Sequence, residues 1–171
     1  MRMQRLLSLV VGTLLVLAAS LASAQQPAAP AAAPPPPPYG TPISLDHAKK
    51  VMAGAEAEAN KNKWNVVIVV LDSGGNLVML HRMDGAQFGS IDVAKEKAYS
   101  AVAFRWPTKA FEDALGQGGV NLRVLRLPGA SPLEGGLPIV VDGKLIGAVG
   151  VSGVQATQDA QIGRAGIESL K

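Results

Sequence analysis

The hydrophobic and polar positions after residue 42 follow two different periods, which predicts a mixture of helices and strands. Apolar residues at helical spacing predict a first helix from Leu45 to about Lys61, with Ser44 as its N-cap. The β-branched run Trp64–Leu71 predicts a buried strand, and Leu77–Arg82 follows it after a turn rich in Gly and Asn. The pattern therefore begins with a helix and an antiparallel hairpin.

The middle of the chain predicts two more helices. Ser90 is expected to cap a second helix, which Pro107 ends because the residue before a proline avoids the helical region. Thr108 is expected to cap a short third helix, Lys109–Leu115, which a glycine-rich stretch ends. The apolar residues in Leu122–Leu127 predict a short strand after it.

A second hairpin and a last helix complete the pattern. Pro138–Val141 and Lys144–Val151 are predicted strands, and the Asp-Gly pair between them is typical of a type I′ turn. Asp159–Leu170 is the predicted final helix. The order α-β-β-α-α-(β)-β-β-α predicts an antiparallel sheet covered by helices.

The chain before residue 43 predicts two segments without a core. Residues 1–24 combine two arginines, an apolar run of about 14 residues and an Ala-Ser-Ala site, which predicts a signal peptide. A spanning helix needs about 20 residues, although an uncleaved N-terminal anchor remains the alternative. Residues 25–42 hold eight of the 12 prolines and predict an extended Pro/Ala-rich linker. The alternative for the linker is a docking ligand for an aromatic groove.

Charge and composition exclude several functions. The formal charge of +3 falls to +1 when Arg2 and Arg5 leave with the signal peptide, so nucleic-acid binding is not expected. Aromatic residues make up only 4% of the chain, too few for a base-stacking platform. The absence of cysteine excludes disulfides, thiolate metal sites and a catalytic thiol. No membrane span is expected after cleavage, and export predicts a periplasmic or secreted protein.

Two histidines are candidate ligands for haem iron. Because there are only two histidines and no cysteine, we expect no structural metal site, but one imidazole suffices to bind haem iron. His47 falls in the first turn of the first predicted helix, and His81 falls at the end of the second strand. The alternative is a solvated surface residue for His47 and a partly exposed sheet residue for His81.

A second candidate site is a pocket for a small carboxylate. Arg82 and Lys97 are its cations, and Asp84 would orient a neighbour; the other predicted members are Thr108, Gly135 and Gly136. The alternatives are a structural salt bridge for Arg82 and Asp84 and a solvated helix face for Lys97. Ser152 lacks the spacing of a nucleophile elbow, so no catalytic residue is assigned.

Several ordered motifs resemble the GlcG/HbpS family of haem-binding-like domains. They are Val70–Val78, Arg82–Ala86, Ser90 with Ala94 and Lys97-Ala98, Phe104 with Pro107-Thr108, Pro128-Gly129, Gly135–Gly143, Ile146–Gly153 and Gln158-Asp159. The resemblance covers the predicted domain, residues 43–171. It implies an α/β (α+β) fold: a profilin-like sandwich, with an antiparallel sheet of about five strands and helices on both faces. It also implies a homo-oligomer.

The resemblance leaves the function open between three hypotheses. The first is an exported haem-binding protein, with His81 or His47 as axial ligand and Arg82 or Lys97 near the propionates. Some members of the family degrade haem, so whether the protein is an enzyme stays open. The second is a module or enzyme for a small carboxylate such as glycolate. The third is a non-catalytic oligomeric adaptor.

Overall fold

The computed structural model describes residues 34–171, so the predicted signal peptide and residues 25–33 of the predicted linker lie outside the described range. Helices and strands alternate in pairs along the domain. They are α1 (Leu45–Asn62), β1 (Val67–Asp72), β2 (Leu77–Arg82), α2 (Ser90–Phe104), α3 (Lys109–Gly116), a 3₁₀ helix (Gly119–Arg126), β3 (Gly136–Val141), β4 (Lys144–Ser152) and α4 (Ala156–Glu168). The predicted helices and the two predicted hairpins are confirmed, with shifts of a few residues at their ends.

The four strands form one antiparallel sheet in the order β2-β1-β4-β3. The two hairpins are therefore joined by the pairing of β1, from the first hairpin, with β4, from the second. Asp142 and Gly143 both have positive φ angles, as the type I′ turn between β3 and β4 requires. The α/β fold class is confirmed, but the expected count of about five strands is one too high.

The missing fifth strand is the segment predicted as Leu122–Leu127, of which residues 122–126 lie in the 3₁₀ helix and Leu127 directly follows it. Its leucines at positions 122 and 125 are three residues apart, and this spacing places them on one side of a helix with three residues per turn. A strand would require alternation with a period of two. The strand prediction is wrong because the segment is apolar but lacks that period.

Helices cover both faces of the sheet, as expected. On one face, Ile68 and Val70 of β1 pack in a core cluster with residues of α1 and α4. On the other face, Val67 and Val69 pack against α2. A Cβ at Gly150 would collide with the backbone of α2, so this glycine lets the helix lie directly on β4.

The cap predicted at Ser44 is confirmed, Thr108 has the predicted N-cap position of α3 without the capping bond, and the prediction for Ser90 is wrong. The N–H of His47 donates to Ser44 Oγ over 3.2 Å at the start of α1. Ser90, in contrast, is the first helical residue of α2, and its buried hydroxyl has no hydrogen-bond partner among the described residues. The Thr108 hydroxyl makes no capping bond to α3, because it bonds instead to the backbone of Gly136.

The folded unit includes residues ahead of position 43. The N–H of Leu145 donates to the Pro38 carbonyl over 2.8 Å, and the N–H of Gly40 donates to the Leu145 carbonyl over 2.7 Å. Tyr39 pairs with Leu145 as an isolated parallel bridge, and its hydroxyl donates to carbonyls near the end of α2. The last residues of the predicted linker therefore pack beside β4, beyond the end of β1.

Candidate functional site

Part of the predicted carboxylate pocket forms a buried ion pair. Lys97 of α2 reaches Asp159 of α4, and Nζ donates to the Asp159 carboxylate over 2.8 Å and to the Val151 carbonyl over 3.0 Å. The two side chains are only 3% and 2% exposed. Because one bond reaches α4 and the other reaches β4, Lys97 joins three elements at one end of the sheet.

Two glycines cover this ion pair. A Cβ at Gly135 would lie 2.9 Å from Lys97 Nζ and 2.8 Å from the Val151 carbonyl oxygen, and the residue has a φ angle of +128°. A Cβ at Gly136 would collide with the Lys97 carbonyl oxygen and the Thr108 side chain. Glycine is required at both positions because the backbone of β3 closes directly over the lysine.

Thr108 fixes the start of β3 from the side. Its hydroxyl accepts the N–H of Gly136 over 2.9 Å, and its own N–H donates to the Gly136 carbonyl over 3.0 Å. We call Lys97, Thr108, Gly135, Gly136 and Asp159 the lysine cluster. The structure thus brings together four residues of the predicted carboxylate pocket and adds Asp159.

The groups of the lysine cluster are bonded to one another. Burial raises the pKa of the Asp159 carboxyl above its ordinary value, and the contact with Lys97 opposes that shift. The other carboxylate oxygen accepts the N–H of Val154 over 3.2 Å. Because the ammonium and the carboxylate already have these partners, the cluster has the properties of a structural ion pair rather than of a binding site for a free carboxylate.

Arg82 and Asp84 lie apart from the lysine cluster. Both side chains are exposed, and Arg82 ends β2, whereas the lysine cluster packs over the start of β3. These strands are opposite edges of the sheet, three strand spacings or roughly 14 Å apart. The structure therefore divides the predicted carboxylate pocket between two edges of the sheet.

An open pocket lies beside His47, at the other end of the domain. It has a volume of about 420 Å³, within the usual range for ligand pockets. Its walls are the 40–44 segment, the first turn of α1 and the β3–β4 hairpin; they include Pro42, Ile43, His47, Val141, Asp142, Lys144 and Ile146. We call it the His47 pocket. It combines an imidazole and apolar walls with one cation and one carboxylate at the rim.

The two histidines have different surroundings. The His81 ring contacts the Glu56 carboxylate of α1, with 2.5 Å between Nδ1 and Oε1, and its side chain is 44% exposed. No side-chain hydrogen bond to His47 is found within residues 34–171, although its backbone N–H is used in the helix cap. The His47 imidazole is therefore available to a ligand, whereas His81 already has an acidic partner.

Lys97 and Arg82, the cations predicted near the haem propionates, are remote from the His47 pocket. Arg82 is in register with Ser152 through β1, and Lys97 bonds to Val151, so both lie near the end of β4. Lys144 begins that nine-residue strand, roughly 26 Å away along its length. Lys144 is the cation that lines the pocket.

Two residues of these sites escaped sequence reasoning. Asp159 is the first residue of the predicted final helix, and nothing in its local pattern identifies Lys97, 62 positions away, as its partner. Lys144 belongs to a hairpin and gave no signal of its own. Lys144 reaches the pocket because Tyr39 pairs with the neighbouring Leu145, and a sequence pattern does not reveal a contact between residues so far apart in the chain.

The described part of the chain contains neither a cluster of metal-binding side chains nor a helix that could span a membrane. Within residues 34–171 there is no group of three or more His, Cys, Asp or Glu side chains placed to hold a metal ion. In the same range no helix is long and apolar enough to cross a bilayer.

The chain is similar to curated proteins over most of the domain. It is 42% identical to Protein GlcG of Escherichia coli over 110 residues, which cover 64% of this chain and 81% of that protein. It is 32% identical to the corrinoid adenosyltransferase PduO of Salmonella typhimurium over 135 residues, or 76% of this chain and 40% of that protein.

Solved structures give the same result. The structure of a double mutant of Streptomyces reticuli HbpS matches with a TM-score of 0.71 and 33% identity, over 84% of this chain and 98% of that chain. A PduOC–haem complex matches with a TM-score of 0.69 and 27% identity, over 75% of this chain and 95% of that chain. The family model described as "Haem degrading protein HbpS-like" matches residues 43–168. The chain therefore belongs to the HbpS-like family.

Proposed function

We propose that this protein is an exported haem-binding protein and that the His47 pocket holds the haem. The observation that carries the proposal is the combination of an unbonded imidazole with an apolar wall in a pocket of about 420 Å³. A neutral imidazole is a common axial ligand of haem iron, and apolar side chains suit the porphyrin face. The solved haem complex of a family member supports the same ligand class.

The residues present suit the different parts of haem. His47 would hold the iron, and Ile43, Pro42 and Ile146 would contact the macrocycle. Lys144 would pair with one propionate, because an ammonium at the rim of a pocket attracts a carboxylate. Bound haem supplies an iron centre capable of redox chemistry. Arg82 and Lys97 are not part of this proposal, since they lie near the far end of β4.

A haemin titration followed by the Soret band tests the proposal. The wild-type chain is expected to shift the band, His47→Ala to lose the shift, and His81→Ala to keep it. His81→Ala is the matched control, because it removes the same side chain from a partly exposed site. An unshifted band with excess haemin would contradict haem binding. Equal shifts in wild type and His47→Ala would contradict the proposed ligand.

Haem degradation is a second and separate part of the proposal, supported by the description of the family. Added peroxide is expected to bleach the Soret band of the complex with loss of the porphyrin. Bleaching at the same rate with free haemin and with the complex would contradict a contribution of the protein.

Export and self-assembly also stay proposals. Residues 1–24 support export, and sequencing of the mature N-terminus is expected to begin at Gln25; a start at Met1 would contradict cleavage. Family resemblance supports a homo-oligomer in solution. Light scattering that gives the mass of a monomer at all concentrations would contradict it.

A further inference from the structure

The 3₁₀ helix Gly119–Arg126 exposes large apolar side chains to solvent. None of its residues is buried, and Val120, Leu122 and Leu125 are 73%, 51% and 63% exposed. Leu127, directly after it, is 40% exposed. Single exposed leucines are ordinary, but a run of them in one short element marks an interaction surface.

The repeat of a 3₁₀ helix sorts these residues into rows, because side chains three positions apart lie above one another. Asn121 and Val124 form a half-buried row, and the helix packs against α3. Leu122 and Leu125 form an exposed apolar row. Arg123 and Arg126 form an exposed basic row. The helix therefore presents an apolar row and a basic row side by side to solvent.

The charge of this surface is of one sign. The segment from Gly116 to Leu133 contains two arginines and no Asp or Glu. Beside it, Asp113 is paired with Lys109, and the Glu112 carboxylate accepts the N–H of Glu134 over 2.6 Å. The Glu134 carboxylate, directly after the segment, lies 3.7 Å from Arg164, and no ion pair joins Arg123 or Arg126 to a carboxylate in the described part of the chain.

A groove on this surface joins the two kinds of side chain. It has a volume of about 310 Å³ and is lined by Arg123, Val124, Arg126 and Leu127. Guanidinium groups bind phosphate through paired hydrogen bonds, and the valine and leucine walls suit a hydrocarbon chain. The groove therefore has the chemistry that recognises an amphiphilic anion.

We propose that the 3₁₀ helix Gly119–Arg126 docks on the surface of an anionic lipid bilayer. Basic side chains beside an apolar row are the arrangement by which amphipathic segments bind such surfaces. A symmetric contact with a second copy fits less well, since it would bring four arginines together with no carboxylate from either segment. The lipid phosphates supply the negative charge that a second copy lacks.

A fluorophore attached to the segment tests this proposal in the full chain. Because the chain has no cysteine, Val120→Cys places a single environment-sensitive label beside the leucines, and Leu77→Cys places it on an exposed strand residue as the control. Vesicles of phosphatidylglycerol are expected to shift the emission of the label at position 120 to the blue. The label at position 77 is expected not to shift.

Charge variants in the Val120→Cys background complete the test. Arg123→Gln with Arg126→Gln is expected to weaken vesicle binding by about 25-fold, whereas Lys49→Gln with Lys50→Gln, on exposed α1 residues, changes it little. Three results would overturn the proposal: no shift with anionic vesicles, an equal shift with phosphatidylcholine vesicles, or a shift that depends on protein concentration without lipid. The last would identify a second copy as the occupant.

Discussion

The lysine cluster and the His47 pocket differ in the burial and bonding of their charged and polar side chains. In the lysine cluster, Lys97 and Asp159 are almost fully buried and bonded to each other. Their hydrogen bonds hold α2, β4 and α4 together. In the His47 pocket, the imidazole and Lys144 are exposed around an open volume. The family motifs in the sequence include residues of the first region, while the ligand site that we propose is the second.

The contrast shows that the fold and the ligand are indicated by different residues of the domain. Burial of a charge is costly unless it is paired, so Lys97 is constrained by its bond to Asp159, whereas Gly136 is constrained by its packing against α2. Residues around an open pocket are free of that constraint, so their chemistry is a better guide to a ligand. A motif made of buried residues therefore identifies the fold well and the ligand poorly.

The largest effect is expected from breaking the ion pair of the lysine cluster. Lys97→Met leaves the Asp159 carboxylate buried without its partner and is expected to lower the free energy of unfolding by about 3–5 kcal/mol, measured by urea denaturation. Lys95→Met is the matched control, since Lys95 lies on the same helix with a side chain 45% exposed. The double variant Lys97→Met with Asp159→Leu is expected to recover most of the loss. A loss below about 1 kcal/mol in the single variant would contradict a structural role of the Lys97–Asp159 ion pair.

A smaller loss is expected from filling the space above Lys97. In Gly136→Ala the new methyl group collides with the Lys97 carbonyl oxygen and with Thr108, which is expected to cost about 1–3 kcal/mol. Gly116→Ala is the control, because no atom lies within 4 Å of a methyl group there. Thermal unfolding of the two variants measures the difference. Equal stability of both variants would show that β3 does not press on α2.

Asp72, at the end of β1, is a third kind of charged group: it is partly buried, and its carboxylate accepts hydrogen bonds from the turn that joins β1 to β2. Burial acts to raise the pKa of Asp72, but hydrogen bonds from Asn76 and Gly74 outweigh it and lower the pKa below its ordinary value. This carboxylate therefore stabilises the fold above its unfolded pKa, and the contribution is lost as the pH falls through the lower folded pKa.

Asp72→Asn tests that linkage. We expect it to lower the free energy of unfolding by about 1 kcal/mol at neutral pH, because the neutral amide is a weaker acceptor. Urea denaturation at decreasing pH is expected to show the difference from wild type disappearing in acid. A difference that is constant across the pH range would contradict the shifted pKa.

The smallest effect on stability is expected at the His47 pocket. His47→Ala removes an exposed side chain and is expected to change the free energy of unfolding by less than about 0.5 kcal/mol. The same variant is expected to lose haem binding. Thermal unfolding with and without haemin separates the two effects, and a large loss of stability without haemin would mean that His47 has a structural role.

Sequence patterns predicted the elements of this fold well, because each depends on residues close in the chain. The hairpin turns, the cap at Ser44 and the proline that follows α2 are local signals. Thr108 shows the limit, since its hydroxyl bonds to Gly136, which is 28 positions away, and makes no capping bond to the helix that follows it. The capping bonds predicted for Ser90 and Thr108 are absent, because Ser90 is buried within α2 and Thr108 bonds to the start of β3.

The site was predictable only in part, for the same reason. His47 was identified by residue type, and its pocket is formed by the segment before α1 together with a distant hairpin. Lys97 was predicted as a cation of the carboxylate pocket, but its partner Asp159 lies 62 positions further along the chain. Contacts of this kind arise from strand order, which local periodicity does not determine.

A structure of the protein crystallised with haemin tests the central claim most directly. We predict haem in the His47 pocket, with the iron bonded to the imidazole of His47, the macrocycle against Ile43 and Ile146, and the lysine cluster unchanged. Haem bound at His81, or at the lysine cluster with the Lys97–Asp159 pair opened, would contradict the account.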